Sequence, residues 1–171
     1  MPKNEIRVAA VQFDVGENIE KNLETSLKMI TTASDCKANL IVLPEFINHC
    51  SWYQNQDHCY SVAVEIDGYF LNEISKKASK YEIFIVVNCT VKREENKVSG
   101  TNILFDPDGS MLAESDKQVL MGNENNFLKR AETLGPIINS SIGRLGMFSC
   151  MDGVMYETPR CIALRDAQIM C

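Results

Sequence analysis

Short apolar runs alternate with segments of helical periodicity along the first ninety residues, and this alternation limits the folds open to the chain. The runs 7–13, 40–43 and 83–90 have the length and apolar character of buried strands. Between them, Asn18 can cap one helix, and 68–81 carries the apolar stripe of another. The residues on the two stripes are Ile19, Leu23, Leu27 and Ile30, then Leu71, Ile74, Ala78 and Tyr81. This strand–helix–strand–helix–strand order predicts an α/β fold.

The rest of the chain adds a hairpin and a second set of short elements. The sequence Asp106-Pro107-Asp108-Gly109 is a strong turn signal between the extended runs 101–105 and 110–115. Beyond a polar loop at 123–126, the patterns predict strands at 135–138, 145–149 and 167–171, and a helix at 157–165. Because 171 residues suit one compact core, we expect a single domain with a mixed sheet covered by helices.

Composition excludes several classes of function. The net charge is −6 and the basic residues are scattered, so the sequence predicts no nucleic-acid partner. No apolar stretch is long enough to cross a bilayer, and the start of the chain lacks the apolar centre of a signal peptide, so we expect no membrane partner and a cytoplasmic protein. Seven cysteines in irregular spacing, with no C-x-x-C pair, argue against both a disulfide framework and a zinc ribbon.

Three reactive side chains stand where predicted strands end. Glu45 follows the second apolar run and Pro44, Lys117 follows the second arm of the hairpin, and Cys150 follows the run 145–149. Ligands of α/β sheets collect at such strand ends. Taken singly, Glu45 and Lys117 are expected to be solvated charges, and Cys150 is as well explained by a buried structural thiol. Cys150, however, stands between a strand and a helix, as a nucleophile on a strained elbow does.

Four blocks in register resemble the nitrilase superfamily of carbon–nitrogen hydrolases. They are 8–12, 40–45, 102–109 ahead of Lys117, and 143–146 leading to Cys150-Met151-Asp152. The resemblance implies an αββα sandwich in which Cys150 is the nucleophile, Glu45 the general base and Lys117 the stabiliser of the tetrahedral intermediate. It also implies that Glu124 is a second glutamate of the site. The backbone N–H of Met151 would assist Lys117, and Asp152 would support the site.

The resemblance also implies a reaction. A Cys150 thioester formed from a small amide, carbamoyl or nitrile substrate would be hydrolysed by water, with no metal and no organic cofactor. The run Cys150-Met151-Asp152-Gly153 is closer to amidase-type members than to nitrile-hydrolysing ones, which favours amide-like substrates. The lysine block differs from many relatives, since Glu114-Ser115-Asp116 precede Lys117 and no histidine follows it closely. The family further implies dimers or larger homo-oligomers.

The chain is shorter than the domain of the family it resembles, which leaves both an enzyme and a silent homologue open. The blocks cover about the first two-thirds of the family's domain, so we expect residues 1–171 to be a carbon–nitrogen hydrolase domain that is incomplete at its C-terminal end. One alternative to an enzyme is therefore a catalytically silent homologue that acts as a binding or assembly module. Another alternative is a Cys–His hydrolase with His49 or His58 as base. Both histidines lie in a polar, aromatic-containing loop, which is better explained as shaping a substrate pocket or packing on a neighbour.

Overall fold

The structure is a computed structural model that describes residues 5–171. The expectation that the chain starts without a leader rests mainly on residues 1–4, which lie outside the described residues. The strands are β1 (Val8–Ala10), β2 (Leu40–Val42), β3 (Phe84–Lys92), β4 (Val98–Phe105), β5 (Met111–Asp116), β6 (Ile138–Ser140), β7 (Gly143–Gly146) and β8 (Ile169–Met170). The helices are α1 (Ile19–Asp35), α2 (Gln56–Val62), α3 (Tyr69–Tyr81), α4 (Glu124–Phe127), α5 (Met151–Val154) and α6 (Glu157–Leu164).

Strands β1 to β5 form one sheet in chain order. The pairs β1–β2 and β2–β3 are parallel, because α1 and then α2 with α3 carry the chain back between them. The pairs β3–β4 and β4–β5 are antiparallel, and the predicted turn at 106–109 joins β4 to β5. The predicted alternation and the hairpin are therefore confirmed, although the first strand is shorter than the apolar run 7–13.

Helices α1 and α3 cover one face of this sheet. The Asn18 side chain accepts the Lys21 N–H at 2.9 Å, so it caps α1 as predicted, an interaction that typically stabilises a helix by about 1 kcal/mol. The stripe residues Leu23, Ile30, Leu71 and Ile74 are buried against alternate residues of β3 and β4 such as Ile85, Val87 and Ile103. This packing forms the largest of the three apolar clusters among the described residues.

The opposite face of the sheet packs on a second sheet, in which the strand order is β6–β7–β8. Leu40, Phe84, Val86 and Leu104 of the first sheet meet Ile138, Leu145 and Met147 of the second. Helix α6 covers the outer side of the second sheet so closely that a Cβ at Gly146 would lie 2.4 Å from Ile162 Cγ2. The layers are thus helix, sheet, sheet and helix, which confirms the predicted αββα sandwich.

One helix was missed and three local predictions were wrong, one of which placed at 135–138 the strand that the structure has at Ile138–Ser140. Helix α2 was not predicted, although Asn55 caps it by accepting the His58 N–H at 2.8 Å. The segment 123–126, predicted as a loop, contains the start of α4, a single turn too short to show periodicity. The strand predicted at 145–149 ends at Gly146, because the chain leaves the sheet before Cys150.

Among residues 5–171, no helix has both the length and the apolar character needed to cross a bilayer.

Candidate active site

The structure brings Glu45 and Lys117 into direct contact. Glu45 lies just beyond β2, and Lys117 follows β5 directly. Lys117 Nζ is 2.6 Å from Glu45 Oε1, although 72 positions separate the two residues. The Lys117 side chain is fully buried, so this is a salt bridge inside the molecule and not a solvated surface charge.

Glu124 completes a cluster of two carboxylates around one buried ammonium group, in which Glu124 is buried and Glu45 is partly exposed. Its two oxygens lie 2.9 and 2.8 Å from Lys117 Nζ, and one of them also accepts the Met121 N–H. Burial lowers the pKa of Lys117, but the hydrogen bonds to Glu124 and Glu45 and the charges of both outweigh burial and raise that pKa above its usual value. Lys117 therefore carries its positive charge at neutral pH.

The aromatic ring of Phe46 lies under the Lys117 ammonium. Its centroid is 5.1 Å from Nζ, within cation–π distance. A Cβ at Gly100 would lie 2.9 Å from the Phe46 ring, so the ring can reach this position because residue 100 is a glycine. Gly100 also accepts the Lys117 backbone N–H at 2.8 Å. The backbone and side chain of Lys117 are thus both held in place.

Cys150 stands on a strained turn between β7 and α5. Its φ of 49° and ψ of −109° are unusual for a non-glycine residue, and such a conformation costs on the order of 1–3 kcal/mol. The turn directs the chain into α5, so the Met151 N–H lies in a first helical turn and has no partner within the helix. This is the elbow that the sequence predicted.

Cys150 and Glu45 line the same cavity of about 180 Å³ between the two sheets. Burial raises the pKa of the Cys150 thiol, and the negative charge of the nearby Glu45 carboxylate raises it further. The positive charge of Lys117 acts in the opposite direction but is outweighed. The thiol is therefore neutral at rest and faces a carboxylate that can accept its proton.

Asp152 connects the segment after Lys117 to the segment that carries Cys150. Its carboxylate accepts the Val119 N–H at 2.7 Å, the Gln118 N–H at 3.1 Å and the Ser149 N–H at 3.5 Å. Burial raises the pKa of Asp152, and these three N–H groups oppose the rise. Because the side chain is buried and its oxygens are occupied, its contacts are those of a supporting residue.

The two histidines contact an aromatic cluster instead of the cavity beside Cys150. His49 Nδ1 lies 2.7 Å from the Cys50 carbonyl oxygen, and its ring stacks on Tyr53 and meets the edge of His58. His58 Nδ1 accepts the Gln54 N–H. Neither histidine lines the cavity that holds Glu45 and Cys150. Within residues 5–171, no group of three or more His, Cys, Asp or Glu side chains is arranged to hold a metal ion.

Sequence reasoning missed two buried amides in this region. Asn88 of β3 and Asn102 of β4 line the cavity together with Glu45 and Cys150. A polar residue in an otherwise apolar run such as 83–90 was the available signal, but one sequence does not show that two such residues face each other across neighbouring strands.

Comparison with known protein families identifies the family to which the chain belongs. The profile of the family described as carbon-nitrogen hydrolase matches residues 7–171. The chain belongs to the carbon-nitrogen hydrolase family. This match confirms the predicted nitrilase superfamily membership and includes Glu45, Lys117, Glu124 and Cys150.

Curated relatives in the family include amidases. The chloroplastic omega-amidase of Arabidopsis thaliana is 25% identical over 186 residues, which are 99% of this chain and 49% of that protein. The pantetheinase of Homo sapiens is 25% identical over 179 residues, which are 88% of this chain and 34% of that protein. The chain thus spans between a third and a half of the length of these two relatives.

Solved structures share the fold. A carbon–nitrogen hydrolase from Helicobacter pylori G27 superposes with a TM-score of 0.86 at 22% identity, covering 96% of this chain and 58% of that one. A mutant amidase from Nesterenkonia sp. AN1, in which acrylamide has added to the active-site cysteine, gives a TM-score of 0.85 at 22% identity. That match covers 97% of this chain and 65% of the amidase. At these identities the likeness establishes the αββα fold alone.

Proposed function

We propose that this chain carries the catalytic centre of a cysteine-dependent hydrolase that acts on the carbon–nitrogen bond of small amide or carbamoyl substrates. The observation that carries the proposal is the cluster in which the buried Lys117 bridges Glu45 and Glu124 while Glu45 lies beside the thiol of Cys150. An apolar interior holds such a charged cluster only at a large desolvation cost, so a chemical role accounts for it better than stability does.

Acylation begins at the neutral thiol. Glu45 accepts the Cys150 proton as Sγ attacks the carbonyl carbon, and the carbon–oxygen double bond becomes a single bond to an oxyanion. The Lys117 ammonium and the Met151 N–H stabilise that oxyanion, a contribution typically worth about two to three orders of magnitude in rate. Glu45 then returns the proton to the departing nitrogen, and ammonia or an amine leaves a thioester on Cys150.

Deacylation uses the same groups. Water attacks the thioester carbon while Glu45 accepts its proton, a second oxyanion forms near Lys117, and the carbon–sulfur bond breaks. The proton on Glu45 returns to the Cys150 sulfur, so the enzyme is restored and a carboxylic acid is released. Glu124 and Asp152 do not enter these steps: Glu124 holds the Lys117 ammonium in place, and Asp152 holds the elbow.

An acyl-enzyme test distinguishes this function from its absence. The purified chain is incubated with short primary amides, carbamoyl amines, nitriles and pantetheine, and intact-mass spectrometry together with ammonia or amine release is recorded. We expect a mass increase on Cys150 and turnover with at least one amide, and loss of both in Cys150→Ala. Cys161→Ala is the matched control, because Cys161 is an exposed thiol on α6, and it should behave as wild type.

A binding or assembly module is the second candidate, favoured by the observation that the chain spans only 34% to 65% of the relatives described above. A folded protein that neither acylates Cys150 nor releases ammonia or amine would support this candidate and contradict the hydrolase. We also propose a cytoplasmic location, where the seven thiols stay reduced, and a homo-oligomer, which light scattering on the eluting protein would reveal.

A further inference from the structure

Two asparagines face each other at the point where the core between the sheets gives way to the cavity beside Cys150. Asn88 and Asn102 are register partners in β3 and β4, and both side chains are almost fully buried. The partner pair before them on the same face, Val86 and Leu104, is apolar and belongs to the core. An apolar pair could therefore have continued the packing, and the amides call for another explanation.

Together the two amides bond to all three segments that carry the cluster. Asn88 Oδ1 accepts the Phe46 N–H, next to Glu45, at 2.9 Å. Asn88 Nδ2 donates to the hydroxyl of Ser149, next to Cys150, at 3.3 Å. The same nitrogen donates to Asn102 Oδ1 at 3.0 Å, which joins the pair to its second half.

Asn102 extends the connection to the third segment. Its Nδ2 donates to the carbonyl oxygen of Ser115, two residues before Lys117, at 3.3 Å. Asn88 also accepts the Ile47 N–H through its backbone oxygen. The Asn88 side chain accepts one hydrogen bond and donates two others, as a carboxamide can. A carboxylate has no donor, and a hydroxyl is too short to span these groups.

We propose that the Asn88–Asn102 pair is a positioning element that sets where Glu45 and Lys117 stand relative to Cys150. The proposal rests on the proposed hydrolase function. Glu45 and Lys117 come from the first sheet and Cys150 from the second, so a fixed link between the sheets defines their separation. The link also restrains Phe46, whose φ of 51° would otherwise relax and move the adjacent Glu45.

The chain offers a matched control for this role. Asn22 is buried to the same extent as Asn88 and also makes three side-chain hydrogen bonds, which join it to Gly16 and to the Asn48 carbonyl oxygen. None of these bonds reaches a residue adjacent to Glu45, Lys117 or Cys150. Asn22→Ala therefore reports the effect on stability of losing a buried amide, without the positioning.

The experiment compares wild type, Asn88→Ala, Asn102→Ala and Asn22→Ala. The first readout is the pH dependence of Cys150 alkylation by iodoacetamide, followed by peptide mapping, and the second is the thermal midpoint. The charged groups that act on the thiol are Glu45, Lys117 and Glu124. Because Glu45 favours the protonated thiol, displacing it in Asn88→Ala should move the alkylation midpoint to lower pH. Asn102→Ala removes one of the three hydrogen bonds of the Asn88 side chain and leaves Lys117 held by Glu124, so its midpoint should move in the same direction to a smaller extent.

A third readout uses the best amide turned over by wild type. We expect Asn88→Ala to lower kcat by about 100-fold, the typical effect of a misplacement of about 1 Å, while KM changes by less than about threefold. Asn22→Ala should lose similar thermal stability with no change in the alkylation profile. An unchanged alkylation profile in Asn88→Ala, or an equal change in Asn22→Ala, would overturn the positioning role.

The readouts also separate this role from the proposed function. If wild type turns over no substrate, the hydrolase proposal fails, but the alkylation profiles still decide whether the pair positions Glu45. If Asn88→Ala does not fold, Ser149→Ala removes only the link to the Cys150 segment. Its alkylation midpoint should also move to lower pH, and an unchanged midpoint there would count against the proposal.

Discussion

The two sheets of the sandwich contribute differently to the site. In the first sheet, every residue of β4 is buried, and α1 and α3 cover the outer face completely enough that Ile30, Leu71 and Ile74 have almost no exposed surface. The second sheet has three short strands, and Tyr156 just before α6 and Leu164 at its end are 69% and 71% exposed. Glu45 and Lys117 thus follow strands of the well-buried layer, whereas Cys150 follows a strand of the less covered layer.

This difference makes the links between the layers important. Asp152 joins the Cys150 elbow to the segment after Lys117, and Asn88 joins it to Phe46. Cys150 takes its position mainly from these polar contacts, since its own layer buries few side chains around it. Substitutions in the two layers should therefore affect activity and stability in different proportions.

The largest effect is expected for Lys117→Met. The substitution leaves the buried Glu124 and the partly exposed Glu45 without their shared counter-charge, so the free energy of unfolding should fall by about 3 kcal/mol in urea titrations. Turnover should fall by about two to three orders of magnitude because the oxyanion loses a donor. Lys76→Met, which removes an exposed lysine paired with Glu73, is the control and should change neither quantity. An unchanged free energy of unfolding in Lys117→Met would show that the Lys117 ion pairs do not stabilise the fold.

Glu45→Gln tests whether the first layer acts on the thiol of the second. Turnover should fall by about two to four orders of magnitude, because the glutamine cannot accept the thiol proton. The charge of Glu45 raises the pKa of Cys150, so the alkylation midpoint should move to lower pH in the variant. Iodoacetamide labelling across a pH series measures this. A midpoint that moves to higher pH would mean that Glu45 does not face the thiol.

Two alanine substitutions, Ile74→Ala and Leu164→Ala, should distinguish the two layers by their effect on the free energy of unfolding. Ile74→Ala empties a fully buried position between α3 and the first sheet and should lower the free energy of unfolding by about 2–5 kcal/mol. Leu164→Ala removes a side chain that is mostly exposed on α6 and should change it by less than about 0.5 kcal/mol. Urea unfolding gives both values. A large loss in Leu164→Ala would show that this face is covered in solution.

The smallest effect is expected for the histidines. His49→Ala and His58→Ala should leave Cys150 alkylation and its pH dependence within about a few-fold of wild type, because both rings contact the aromatic cluster and not the thiol. His49 is buried, so a modest loss of thermal stability in that variant is compatible with this expectation. A loss of turnover as large as that of Glu45→Gln would instead favour a Cys–His mechanism.

Sequence patterns predicted the elements whose signals are local. Strand runs such as 83–90 and the stripe from Leu71 to Tyr81 repeat within one element, and the caps and turns at Asn18 and 106–109 act over a few residues. Helix α2 and the single turn of α4 escaped because short elements carry too little periodicity. The single-domain interpretation of residues 1–171 stays a prediction.

By itself, the sequence determined the alternation of the longer strands and helices and the family, and it predicted Glu45, Lys117 and Cys150 as candidate site residues at strand ends. Only the tertiary structure decided that Lys117 lies between two carboxylates, that Glu45 raises the pKa of Cys150 instead of leaving the thiol to Lys117, and that Asn88 connects the two layers. The reason is physical: periodicity and capping depend on neighbours along the chain. The charge state and position of a buried group depend on residues that folding brings from 72 positions away.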